Sequence, residues 1–399
     1  MTYSVLRNFL LAGSVLVPLS AGAGELDVSG YIGGEVTVFP REGLYADQLK
    51  HLQAGVTARP EISWSSEDRN TSATIIGFGR YDHADEKRNH VDLREAWLAH
   101  DFDGIEVLAG VNKLFWGVTE SRHLVDIINQ SDALEYNNRD AKLGQAMFSV
   151  TARQDWGDLA LIAMTGFREL DFPGPDGRLR PGLTVDTDNA VFEHSAEHWA
   201  PDFAVRYSNT FGDVDLGLSA FHGTSREARF VLNTGNDTLV PYYDRISQLG
   251  LDVQYTADSL LLKFEGIIRK GHGDTFGAVV TGAEYTLYQL AGTGMDLGLI
   301  AEYLYDGRDD SAPITPYDND VFVGLRLAMN DTQDTSALVG ASIDLDDGAM
   351  GVRAEFERRI MDGLTFEADI QYFVNADKDS DSYGFRRDSY ASITLKKHF

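Results

Sequence analysis

The chain contains no cysteine, so no disulfide framework holds it together. It also lacks a long apolar run. The first apolar stretch, Phe9 to Leu19, is far shorter than the roughly 20 residues that cross a bilayer as a helix, and no later segment reaches that length. Arg7 before this stretch and Ala21-Gly22-Ala23 after it mark residues 1–23 as a secretory signal peptide with a small-residue cleavage site. An exported chain without disulfides must draw its stability from one large continuous structure. If that structure resides in a membrane, it does so as a closed barrel, because only helices and closed barrels satisfy every backbone polar group in lipid. Basic residues are scarce too, with 34 Lys and Arg against 62 Asp and Glu. The formal charge of −28, one unit more negative once Arg7 leaves with the leader, argues against nucleic acid or anionic headgroups as direct partners. Finally, residues 24–399 show no linker, low-complexity tract or shift in composition, and they read as one domain.

What is present is alternation with period 2. Leu26, Val28, Gly30, Ile32, Gly34, Val36 and Val38 oppose Asp27, Ser29, Glu35 and Thr37. Leu52, Ala54, Val56, Ala58, Ile62 and Trp64 oppose Gln53, Thr57, Arg59, Glu61 and Ser63, with Pro60 discordant on the apolar face, where a local bulge is expected. Later runs repeat the pattern: Leu262, Phe264 and Ile268 against Lys263, Glu265 and Arg269, or Leu297, Leu299, Ala301, Tyr303 and Tyr305 against Glu302 and Asp306. A face that is apolar at every second residue suits lipid even when the mean hydropathy of the whole chain is mildly negative.

Connections alternate in length, as short periplasmic turns and longer extracellular loops do in outer-membrane barrels. Short turns fall at Asp103-Gly104, Trp156 to Asp158, Gly212-Asp213, Ala257 to Ser259, Asn330 to Asp334 and Met361 to Gly363. Longer connections lie near residues 40–50, 83–90, 115–145, 170–200, 225–246, 307–319 and 375–386, with two brief outer ones near Gly271 to Asp274 and Asp346 to Ala349. The expectation is an all-β fold: a single closed antiparallel transmembrane barrel of about 18 strands, or about 16 if the brief outer connections are not hairpins.

The last segment sets Ala391, Ile393, Leu395 and Phe399 on one face and Tyr390, Ser392, Thr394 and Lys396 on the other. It resembles the C-terminal signal of outer-membrane proteins, in which a terminal Phe ends an alternating strand. That resemblance implies a Gram-negative outer membrane with its lipid and lipopolysaccharide, and the barrel-assembly machinery as a partner. Lys397 departs from the pattern, and a long Lys near the boundary can snorkel. Over the whole mature chain the resemblance is to porins and substrate-selective channels. The phrase from Trp116-Gly117-Val118-Thr119-Glu120-Ser121 to Asp126-Ile127-Ile128-Asn129-Gln130-Ser131-Asp132 resembles a loop of alginate-export-like barrels, whereas the loop phrase of general trimeric porins is absent.

A barrel of about 18 strands is wide enough for an aqueous channel. The alternation puts Arg59, Arg80, Arg153, Arg206, Lys263, Arg269, Arg326, Arg353 and Arg359 on the lumen wall. Glu61, Glu95, Glu265, Glu284, Glu302, Asp306, Glu355, Glu357, Glu367 and Asp369 share that face. These charges form either a selectivity track for small polar solutes or cross-strand ion pairs that stiffen a wet wall, and their near-cancelling signs favour no strong ion selectivity. The connection 115–145 carries a clustered Leu124, Val125, Ile127 and Ile128, suggestive of a short amphipathic helix. Folded inward, it would be a constriction with Trp116, Glu120, Arg122, His123, Asp126 and Asp132 as its residues; folded outward, it would cap the rim.

Three further readings concern the loops. Asp309, Asp310, Asp318, Asp320, Asp346, Asp347, Asp377, Asp379 and Asp381 fall mostly in outer connections. The spacing Asp377, Asp379, Asp381 resembles the start of a calcium loop but has Ser382 at the glycine place and Asp388 at the glutamate place, so a solvated acidic loop is the default. His194-Ser195-Ala196-Glu197-His198 offers the side chains of a hydrolase without a second element to supply an oxyanion hole. A receptor, adhesin or assembly partner would work through 170–200 and 225–246, where Tyr242, Tyr243 and Asp244 suit either carbohydrate or the membrane interface. The sequence implies no cofactor, metal or catalytic residue.

Overall fold

Alternating apolar residues produce strands here because each strand has two different solvents. The computed structural model describes residues 24–135, 141–378 and 380–399; residues 1–23, where a signal peptide is expected, lie outside the described residues. The first strands are β1 (Gly24–Val38), β2 (Leu52–Ser66), β3 (Thr71–Asp82), β4 (His90–Asp101), β5 (Ile105–Asn112), β6 (Gln145–Gln154) and β7 (Gly157–Met164). Then come β8 (Val191–Phe192), β9 (Asp202–Phe211), β10 (Val214–Thr224), β11 (Arg229–Asn233), β12 (Thr238–Tyr243), β13 (Arg245–Ala257) and β14 (Leu260–Gly271). The last are β15 (Gly273–Leu287), β16 (Asp296–Asp306), β17 (Asn319–Ala328), β18 (Ser336–Asp344), β19 (Met350–Met361), β20 (Leu364–Val374) and β21 (Tyr390–His398). Setting aside the short β8, β11 and β12, each strand pairs antiparallel with its successor and β1 pairs with β21, closing an 18-stranded barrel.

The two faces are chemically distinct. Leu26, Val28, Ile32, Val36 and Val38 stand exposed on β1 while Glu35 and Thr37 are buried, and Val91 on β4 is 86 % exposed. A continuous belt of bare apolar side chains is unstable against water but suits acyl chains, so the outer face is the lipid face. Exposed Phe102, Trp156, Phe211, Tyr288 and Phe399 ring the end that carries the short turns, the position of an aromatic girdle. Because every barrel strand has a neighbour on both sides, the closed ring leaves no edge strand.

The turns were partly foreseen. Asp103 and Gly104 both have positive φ (60° and 87°), as does Gly363 (64°), the geometry that tight hairpins demand. Two further turns carry no obvious signal. One, at residues 67–70, is built by the Asp68 carboxylate, which accepts from the Ser66 hydroxyl (2.5 Å) and the Asn70 amide (3.1 Å). The other spans residues 288–295 and includes Gln289 and Ala291 in left-handed conformations.

The expected bulge at Pro60 is not on its strand. Pro60 faces Gly30 in an unbroken β1–β2 register, and the β2–β3 register is the same on either side of it. The slip occurs one strand further on, between Ile76 and Gly77, which face Glu95 and Leu93 of β4. Arg94 is the extra residue, and its guanidinium is thereby turned into the lumen. The outer connections around 170–200 and 225–246 also hold more order than loops: β11 and β12 form a hairpin, and β8 adds to β12 in parallel.

Candidate functional site

The described residues of the connection from β5 to β6, 113–135 and 141–144, pack against inward-facing residues of the wall. Trp116, Leu124, Val125, Ile127 and Ile128 are buried in one cluster with inward residues of the wall, including Met147, Ile162, Phe221, Ile246, Val280, Ile300 and Leu304. The expected amphipathic helix is absent from the described part of this segment. Its amides have another use. Glu265 of β14, fully buried, accepts from the amides of Val118 (2.7 Å), Thr119 (3.0 Å) and Val125 (3.2 Å) and from the Thr119 hydroxyl (2.7 Å). Glu302 of β16 takes the Glu120 and Ser121 amides, each at 2.8 Å, and the Ser121 hydroxyl at 2.6 Å. A backbone whose donors point at wall carboxylates cannot also close helical turns.

Gly117 makes the approach feasible. Its φ is +138°, and a Cβ there would lie 2.9 Å from both Glu265 Oε1 and His123 Nδ1. At the other end of the segment Asn129 ties three stretches of chain together. Its carbonyl accepts from the Leu114 amide (2.9 Å), and its amide donates to the carbonyls of Asn112 and Leu143 (2.9 Å each). Arg226, buried, donates to the Ile128 carbonyl (2.8 and 3.0 Å) while paired with Asp202 at 2.8 Å.

Of the six residues expected at a constriction, three are anchors. Trp116 is buried with the Arg206 guanidinium 5.0 Å over its ring. Asp132 is buried against Arg94, and Asp126 is held by Lys142 at 3.2 Å, burial raising its pKa against that attraction. The other three keep some access. Arg122 meets Asp306 at 3.1 Å, His123 lies 3.6 Å from Glu265, and Glu120 is ion-paired with Arg326.

The wall residues fall into two groups. Where the segment lies against β9 and β13 to β16, inward charges are matched and mostly sealed: Arg206 of β9 with Asp252 (2.8 Å), Lys263 with Glu284 (3.3 Å), and Arg269 with the loop residue Glu227 (3.1 Å). Arg80 is also sealed, paired with Glu35 and Glu135. Across the lumen the wall is wetter. Arg59 pairs with Glu61 at 3.0 Å and Arg353 bridges Glu355 (2.6 Å) and Asp369 (3.1 Å), with the Glu355 side chain 44 % exposed where that of Glu265 is 0 %. Arg153 and Arg359 sit at the short-turn rim, paired with Asp101 and Glu106 and with Asp334 respectively.

Sequence reasoning passed over Glu227 and Arg308. Burial pushes the Glu227 carboxyl up, but the guanidiniums of Arg269, Arg308 and Arg122 outweigh it and hold the group well below the usual range. Arg308 reaches Glu227 at 2.7 Å and Asp306 at 2.8 Å, so one chain of alternating charges runs from the segment through the wall to the β16–β17 loop. Neither residue alternates with a strand, which is why no periodic signal exposed them.

The loop candidates resolve differently. His198 lies 3.3 Å from both Glu169 and the Phe167 carbonyl, and His194 accepts from the Ala196 amide at 3.0 Å, so both imidazoles brace the loop. Tyr243, expected at a carbohydrate or membrane surface, is instead fully buried against Phe167 and Phe192. Tyr242 lies under Arg229, which Asp244 holds at 2.6 Å. Asp379 of the acidic 377–388 segment lies outside the described residues, and Asp388 is committed to Arg178 at 2.6 Å.

No family model matches the chain, and no curated protein matches it. Several solved structures are similar in outline. One mutant of the Rhodopseudomonas blastica porin shares 13 % identity over 94 % of this chain and 100 % of its own, with a TM-score of 0.46. A high-pH structure of Pseudomonas putida OprB shares 11 % identity over 94 % of both chains, with a TM-score of 0.47. At such identity no residue role carries over from either, and the roles assigned to residues here come from the lumen geometry alone.

Proposed function

We propose that this chain is a porin-like channel of a Gram-negative outer membrane, passing small polar or charged solutes by passive diffusion, with residues 115–145 as its constriction. The observation that carries the reading is the double clamp of the Val118–Ser121 amides on Glu265 and Glu302, which fixes a loop inside a barrel of channel width. A loop meant to cap the rim would have no use for buried wall carboxylates. On this reading the path left beside the segment runs past the wetter wall of β18 to β20. Along it lies a gap of about 90 Å³ lined by Glu120, Ser121, Phe322, Leu338, Gly340, Arg353 and Glu355. With Arg326 beside Glu120, acids and bases face each other across this gap, an arrangement that orients dipolar solutes more than it selects one sign of ion.

Deleting residues 119–134 tests the constriction in planar bilayers. Single-channel conductance should rise severalfold while the barrel still folds; an unchanged conductance refutes it. Liposome swelling with sugars, dicarboxylates and amino acids tests the wider reading. Size-dependent flux supports a channel, and an impermeable barrel would favour a receptor, adhesin or assembly partner acting through the β8, β11 and β12 surface. Biogenesis on this reading uses residues 1–23 as the export leader, and Tyr390, Ile393, Leu395 and Phe399 as the signal to the assembly machinery.

A further inference from the structure

Most lumen carboxylates described above are ion-paired or held by a row of amides, but one group of acids at the outer rim has no arginine or lysine partner among the described residues, Asp344 taking only the Asp346 and Asp347 amides (2.7 and 3.2 Å). Asp318 lies on the β16–β17 connection, Asp320 is the second residue of β17, Asp344 ends β18, and Asp346 sits in the β18–β19 turn. Asp320 and Asp344 are register partners on neighbouring strands. One carboxylate oxygen from each of Asp318, Asp344 and Asp346 lies within 4.8 Å of the others. Asp320, Asp318 and Asp344 line the same cavity, of about 300 Å³. Asp320 is only 2 % exposed, and its Oδ2 has no hydrogen-bond partner among the described residues. A buried acceptor left unsatisfied beside further carboxylates is costly unless a proton or a cation completes it, and a cation can serve several of the acids at once.

We propose that Asp318, Asp344 and Asp346, with the buried Asp320 beside them, form a divalent-cation site of calcium type at the extracellular rim. The donors are all hard oxygens, which excludes the nitrogen and sulfur preference of zinc. For three atoms no more than 4.8 Å apart, some point lies within about 2.8 Å of all of them. Calcium binds oxygen at roughly 2.3–2.6 Å in flexible geometry, so a small contraction suffices, whereas magnesium needs about 2.1 Å and a near-ideal octahedron. Asn319 steadies the frame. It takes the Tyr303 hydroxyl at 2.9 Å and donates to Asp346 at 3.1 Å, so the ligands come from a loop and a turn already cross-braced. A bound ion would join the β16–β17 loop to the β18–β19 turn directly above the wetter side of the lumen. The site is independent of whether the barrel conducts.

The test uses the full barrel refolded in detergent, stripped with chelator and titrated calorimetrically with calcium chloride. One saturable site per chain is expected, with a dissociation constant of about 0.1–1 mM as in extracellular calcium modules. Asp318→Asn and Asp346→Asn remove exposed ligands without disturbing the wall, and each should weaken binding about tenfold or more. Asp309→Asn, an exposed acid of the same loop outside the cluster, should leave it unchanged. Heat-modifiable migration confirms that each variant is folded. The absence of saturable heat in the wild-type barrel overturns the proposal. So does binding that survives Asp318→Asn combined with Asp346→Asn, or that is lost instead with Asp377→Asn.

Discussion

Glu265 is a buried carboxylate whose partners are mostly amides, and its value lies in its second oxygen as much as in its charge. One oxygen collects three donors around Thr119 and the other reaches Val125. Glu265→Gln keeps the shape but turns one acceptor into a donor facing donors. The loosening should be about 1.5–3 kcal/mol, the range for hydrogen bonds to a charged group. Trypsin cleavage at Arg122 in the folded, detergent-solubilised barrel reads it: faster nicking than wild type is expected, and equal protection would mean the clamp does not hold the segment. His272 supplies a pH dependence. It is fully buried between β14 and β15, neither ring nitrogen has a hydrogen-bond partner among the described residues, and burial lowers its pKa from 6.5 to about 4. Arg269 and Arg308 push the same way, while Glu227 and Asp244 oppose them. The folded state therefore disfavours the proton. The associated stability is full above pH 6.5 and is lost as pH falls from there toward 4, to the order of 3 kcal/mol. Urea unfolding at pH 7.5 and pH 5 should show a larger acid loss in wild type than in His272→Phe; equal losses would remove His272 as the cause.

At the scale of elements, what was legible in the sequence was whatever one face of lipid dictates. β1, β14 and β16 alternate so strictly because a one-residue slip would turn Glu35, Glu265 or Glu302 toward acyl chains. The same rule hid the slip at Arg94. Arg94 and Glu95 are adjacent and both polar, so the extra residue sits where no apolar position is displaced, while Pro60, the visible anomaly, is absorbed by an unchanged register. The small sheet of β8, β11 and β12 was illegible for a different reason. Its strands have no lipid face and its order comes from burial of Tyr243 among aromatic residues distant in the chain. The inward segment was readable as apolar and charged, but its conformation was not, because the wall carboxylates that claim its amides are about 150 to 180 residues away.

Over the whole molecule the formal charge of −28 coexists with an apolar outer belt because the two occupy different surfaces. Acid gathers in and beside outer connections, as at Asp309, Asp310, Asp318 and Asp346, and many lumen charges are matched by pairing. The proposed role of Phe399 in assembly belongs to this scale. Its amide donates to the Gly30 carbonyl at 3.1 Å, and its ring lies 3.0 Å from where a Gly30 Cβ would stand, but 60 % of the residue is exposed. So little buried contact predicts a separation of effects. Deleting Phe399 should leave refolding in detergent nearly unchanged, yet reduce the folded, heat-modifiable band in cell membranes severalfold. Equal losses in both would assign the residue to barrel stability rather than to recognition.

The pairing of β1 with β21 also sets the order of events. Thr37 reaches Ser392, 355 positions further along the chain, so the ring cannot close until nearly the last residue has been delivered. Throughout that interval the first strand and the newest one each carry a bare row of donors and acceptors, and the loop-closure entropy is near its maximum for this chain. The nascent polypeptide is thus adhesive at both ends until the moment of completion. Its hazard is temporal: the rate at which the C-terminus arrives, rather than the strength of any finished contact, decides whether it zips onto itself or onto a neighbour.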